Sequence, residues 1–154
     1  MSLKQSLSYI AFLSLIFFTA CGSYSEFSSE ATKDYSRAEM QKFAKYMVAG
    51  KQLYTTHCSN CHQESGQGLG KLYPPLAKSD FMMQNVNRTA CLMKNGIKGE
   101  IIVNNITYNQ EMPALEELTN LEVAEIATYI FNSWGNERGF VTVKEVETSL
   151  SNCQ

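Results

Sequence analysis

Residues 58–62 read Cys-Ser-Asn-Cys-His, two thiols three positions apart with an imidazole directly after the second. No other stretch limits the fold as much, because it concentrates three reactive side chains within little more than one helical turn. Two thiols at this spacing can add across the two vinyl groups of one porphyrin, and the short turn between them brings the next side chain beneath the ring. Cys58 and Cys61 are then thioether anchors, His62 a proximal iron ligand, and one covalent haem c the cofactor. Two rivals fit less well. A thioredoxin-like pair needs a strand leading into the motif, whereas Met40 to Thr56 reads as helix. A zinc site would use His57, Cys58, Cys61 and His62, but structural zinc usually draws on two separated ligand pairs, and the remaining cysteines stand alone.

The first twenty residues form a separate unit. Lys4 gives a basic start, Tyr9 to Phe18 is nearly all apolar, and small residues precede Cys21. This is the pattern of a secretory signal peptide, too short for a spanning helix of about 20 apolar residues. Ala20-Cys21-Gly22 resembles the lipobox of bacterial lipoproteins, so residues 1–20 are expected to be a leader, with lipid on Cys21. Export suits a haem protein, since covalent attachment in bacteria is completed outside the cytoplasm. Of five cysteines, Cys91 and Cys153 are then left over, either as a disulfide in an oxidising compartment or as two free thiols.

The chain carries 13 Lys and Arg against 15 Asp and Glu, and removing a leader that holds Lys4 makes it more acidic. That balance argues against nucleic acid as a partner. The charges are unevenly spread. Lys71 to Lys98 holds five basic residues and one acid, and Glu100 to Glu125 holds six acids and no base. If these segments fall on different sides, the molecule has a dipole that could orient docking.

Residues 21–36 are polar, lack apolar periodicity and read as a flexible tether. Residues 37–150 read as one domain. Met40, Phe43, Met47, Gly50 and Tyr54 recur at helical spacing, and Gly50 in their midst suggests close approach by another helix. Pro74-Pro75 enforces an extended segment whose carbonyls lack internal partners, the kind of acceptor a ligating histidine uses for its second ring N–H. A helix capped at Ser79 or Asp80 should run to Asn95, and residues 100–108 should form a small hairpin turning at Asn104-Asn105. Thr119 and Glu122 make a capping box for a helix from Asn120 to Trp134, and a short helix within Val141 to Leu150 is expected to follow.

Methionines compete for the distal side of the iron. Met40, Met47 and Met93 lie in apolar helical stripes, where methionine usually fills core. Met82 and Met83 follow the motif too closely to wrap over a ring. Met112 lies in a polar loop before Pro113, fifty residues after His62, and is the expected distal ligand. A thioether opposite imidazole raises the reduction potential and closes the sixth position, which suits electron transfer rather than catalysis.

From about Arg37 to Val146 the chain resembles a class I cytochrome c. The shared elements are Gly50 and Tyr54, Cys58-x-x-Cys61-His62, Pro74-Pro75-Leu76, Tyr108 before Met112-Pro113, and Ser133-Trp134-Gly135-Asn136. The last stretch is similar to cytochrome c domains fused to terminal oxidases, alcohol dehydrogenases and copper nitrite reductases. The resemblance implies an all-α fold of four to five helices around one haem, with a minor β-hairpin. It also implies that the Pro74 carbonyl accepts from His62, and that the first and last helices cross at Gly50 against Tyr129. Cys91 lies outside the family pattern. The expected function is one-electron transfer between respiratory donor and acceptor proteins, on a membrane face towards the periplasm. The alternatives are a dedicated electron-input subunit or redox sensor, or a haem enzyme with a labile distal ligand.

Overall fold

The computed structural model describes residues 27–153; the leader, Cys21 and residues 22–26 lie outside them. Of the 21–36 stretch read as a flexible tether, residues 27–36 pack on the domain. A 3-10 turn at Glu30–Thr32 buries Thr32, whose hydroxyl accepts from the Ser29 N–H. The Tyr35 hydroxyl accepts from the Phe140 N–H at 2.8 Å, and its ring meets Phe43 edge-on. Sequence periodicity could not reveal this segment, because it is held by single anchoring side chains.

Ser36 and Glu39 cap each other's backbone groups and start α1, Arg37–His57. It ends at Cys58 and is followed by a single turn, α2, Ser59–His62. The expected helix from 80 to 95 is two helices, α3 (Asp80–Met83) and α4 (Val86–Asn95). The break falls where extended Asn85 turns its side chain to the Arg88 N–H as a new N-cap. One apolar stripe continues through both pieces, so periodicity alone hides the interruption.

Strands β1 (Ile101–Val103) and β2 (Ile106–Tyr108) pair antiparallel, Val103 opposite Ile106. Asn104 and Asn105 both take positive φ, 50° and 62°, the backbone a two-residue hairpin turn of this hand requires. The Thr119–Glu122 capping box opens α5, Asn120–Ile130. This helix stops four residues short of the expected Trp134. Asn136 Nδ2 donates to the Ile130 carbonyl at 2.8 Å, and Asn132 Nδ2 to that of Thr128 at 2.7 Å. These side chains supply partners to orphan helix-end carbonyls, and Trp134 leaves in a turn with φ 57°. A final helix, α6, Val143–Ser151, lies against α4, and a disulfide joins Cys91 to Cys153.

The core forms where α1 and α5 cross, around Phe43, Tyr54, Val123, Ile126 and Phe131. A Cβ on Gly50 would lie 2.1 Å from the Glu125 carbonyl oxygen and 2.8 Å from Tyr129 Cβ. Glycine here lets two backbones touch. The crossing fixes the end of α1, and with it the Cys58–His62 turn. The architecture is all-α with a minor hairpin, as the resemblance implies, with six α-helices among the described residues where four to five were expected.

Candidate functional site

Cys58 caps the short α2 turn, so the bend between α1 and α2 sets the positions of both motif thiols. The loop that follows is held from two directions. The Tyr54 hydroxyl donates to the Gln63 carbonyl at 2.6 Å, and Trp134 Nε1 donates to that of Glu64 at 3.1 Å. Tyr54, Tyr129 and Trp134 stack as a cluster with ring centroids 5.0 to 5.4 Å apart. Trp134 is therefore no helix-face residue but a lid on this loop. Sequence reasoning missed that role, which only its position after a premature helix stop could have signalled.

His62 Nδ1 lies 3.0 Å from the Pro74 carbonyl oxygen. A carbonyl only accepts, so the proton sits on Nδ1 and the Nε2 lone pair is left unprotonated. Burial lowers the His62 pKa, against a smaller opposite effect of the Pro74 hydrogen bond. A neutral imidazole is the form that binds metal. Burial also pushes the Cys58 thiol up to about 12, with neighbouring Cys61 adding to the shift. Both motif sulfurs are free of any disulfide.

Cys61 and His62 open onto an apolar cleft. Tyr73 to Leu76 form one wall, with α3 and α4 contributing Met82, Thr89, Leu92 and Met93. The hairpin adds Ile101, Val103 and Tyr108, and the loop adds Met112 and Pro113. Three methionines thus face the cleft. Met82 and Met93 are each 3% exposed and belong to the packed core, whereas Met112 lies outside that cluster. Its backbone is pinned by reciprocal 3.0 Å hydrogen bonds with Ile97. Among the described residues, no three His, Cys, Asp or Glu side chains gather to hold a metal ion by themselves, as a zinc reading would need.

This geometry fits a flat, largely apolar, iron-bearing ring. The cleft walls are hydrophobic, the free Cys61 thiol lines it while Cys58, three residues before, packs against the core, and an imidazole nitrogen and thioether sulfurs are the available donors.

A mostly helical domain built around such a cleft is compatible with covalent haem binding. The cytochrome c family model matches residues 47–134, more than half of the chain, and the chain belongs to that family. It is 29% identical over 93 residues to cytochrome c-552 from Thermus thermophilus, a match covering 58% of this chain and 70% of that protein. A second Thermus thermophilus cytochrome c-552 matches at the same identity, over 62% of its length. The cytochrome c subunit of a quinone alcohol dehydrogenase from Gluconacetobacter polyoxogenes is 28% identical over 102 residues. The match covers 64% of this chain and 22% of that subunit. Family membership makes haem c the covalently bound cofactor and electron transfer the function.

Proposed function

We propose that Cys58 and Cys61 carry the haem through thioether bonds, that His62 and Met112 are its axial ligands, and that the protein is a one-electron carrier tethered through Cys21 to an extracytoplasmic membrane face. Bound haem supplies a single iron that changes by one charge without bond making. The observation that carries the reading is the His62–Pro74 hydrogen bond, which fixes the tautomer and leaves Nε2 free as a donor beside a cleft that Met112 also lines. Met112 is favoured over Met82 and Met93 because those two are spent in core packing. Apolar walls exclude water, and ligands unchanged through the redox cycle keep reorganisation small.

Near the cleft, Leu69, Leu72 and Ile106 are exposed apolar side chains, suited to brief docking of redox proteins. The Ala20-Cys21-Gly22 pattern supports the lipid anchor. Among the described residues, no helix is long and apolar enough to cross a membrane.

Optical titration with cyanide tests the ligation. The oxidised protein should bind cyanide slowly. Met112→Ala should keep its haem, fall in potential, and bind cyanide at least about tenfold faster. Rapid binding by the unaltered protein contradicts the carrier reading and favours an open-site haem enzyme. The likeness to an alcohol dehydrogenase subunit supports a second reading, a dedicated electron-input subunit. A stoichiometric enzyme that co-purifies would select it over a mobile carrier.

A further inference from the structure

We propose that α6 and the Cys91–Cys153 disulfide brace the distal wall of the haem cleft, holding the Met112 loop in register; the inference builds on Met112 as distal ligand. The family match ends at residue 134, so α6 and Cys153 lie beyond it, and the disulfide ties this extension back into the domain.

Helix α4 connects the brace to the cleft, because it has two working faces. One face gives Thr89, Leu92 and Met93 to the cleft. The other carries Cys91, bonded to Cys153, and Asn87, whose Oδ1 accepts from the Ser149 hydroxyl at 2.7 Å. Ser149 is buried. A helix of ten residues does not hold its shape alone, so its position depends on what grips it.

The last turn of α4 in turn grips the distal loop. The Leu115 N–H donates to the Met93 carbonyl at 3.0 Å, and Lys94 Nζ donates to the carbonyls of Glu116 and Leu118. Gly96 ends the helix so close to the loop that a Cβ there would sit 2.4 Å from the Met112 carbonyl oxygen. Ile97 completes the hold through its two hydrogen bonds to Met112. Residues 112–118 thus hang on α4, and α4 is riveted to α6. Cleaving the rivet frees the outer face of α4, and the loop should open more often.

The test uses the full-length holoprotein and compares the parent with a Cys91→Ala/Cys153→Ala variant. The readouts are the rate of cyanide binding to oxidised protein and amide hydrogen exchange at Ile97, Met112 and Leu115. The variant should bind cyanide about tenfold faster and lose exchange protection at these amides. Thr32→Ala, a buried change whose contacts are with Phe27 and Ser29, serves as a control for destabilisation elsewhere. It should leave both readouts unchanged. If the double variant does not fold, hydrogen exchange alone is compared between parent treated with a dithiol, which reduces both the disulfide and the ferric haem, and parent treated with ascorbate, which reduces the haem and leaves the disulfide intact. The dithiol becomes a disulfide as Cys91 and Cys153 return to thiols, and the thioethers are untouched. A double variant matching the parent in both readouts, or dithiol-treated protein matching the ascorbate-treated protein in exchange, overturns the brace, as does equal acceleration by Thr32→Ala. If Met112→Ala leaves cyanide binding unchanged, the ligand assignment fails, while loss of exchange protection still supports the brace.

Discussion

One buried amide, Asn136, joins three stretches of chain around the site. Its Oδ1 accepts from the Lys78 N–H at 2.8 Å, and its Nδ2 donates to the carbonyls of Leu76 and Ile130 at 3.0 and 2.8 Å. The side chain thereby ends α5 and fixes the segment just after Pro74-Pro75. Asn136→Ala leaves these groups without their side-chain partner and should lower stability by about 2–3 kcal/mol, read from denaturant unfolding. Asn136→Asp keeps the acceptor but cannot donate to either carbonyl, and should not restore the loss. A cost below about 0.5 kcal/mol, usual for a neutral surface change, would contradict this role. In the sequence Asn136 stands out only as the end of the shared Ser133-Trp134-Gly135-Asn136 stretch, and its partners stay hidden because an asparagine after a glycine looks the same exposed or buried. The His62 acceptor was legible for the opposite reason, since two prolines announce carbonyls lacking internal partners.

Among the elements, the α1–α5 crossing carries the most information per residue. Helix propensity alone says that Gly50→Ala should stabilise α1 by about 1 kcal/mol. The crossing says the reverse, because the added Cβ falls 2.1 Å from the Glu125 carbonyl oxygen and the helices must separate. We expect a net loss of about 1–3 kcal/mol, measured as a fall in the unfolding midpoint. A gain would show that the helices do not touch there. This crossing was legible, since a glycine amid an apolar stripe has few other uses. The Thr119–Glu122 cap of α5 was legible too. The division of residues 80–95 was not, because Phe81, Met82, Val86, Ala90 and Met93 keep one periodicity across the break at Asn85. The early end of α5 was hidden for a related reason: tertiary side-chain hydrogen bonds, not local sequence, stop it.

At the scale of the whole molecule, the basic and acidic segments are tied together where they adjoin. Lys98 pairs with Glu111 at 3.1 Å, and Lys94 reaches the backbone of Glu116 and Leu118. These contacts lie beside the Met112 loop. The arm from Phe27 wraps the family domain in a way composition did not show, whereas the tie at Cys153 was one of the two readings that the leftover cysteine pair offered. All of these parts serve one claim, that a haem is bonded to Cys58 and Cys61. The most direct measurement is the intact mass of unfolded protein from a host that matures c-type cytochromes, taken after treatment with a thiol-alkylating reagent. The expected result is a gain of one haem, with neither Cys58 nor Cys61 alkylated. A haem-free mass with both sulfurs alkylated would contradict it.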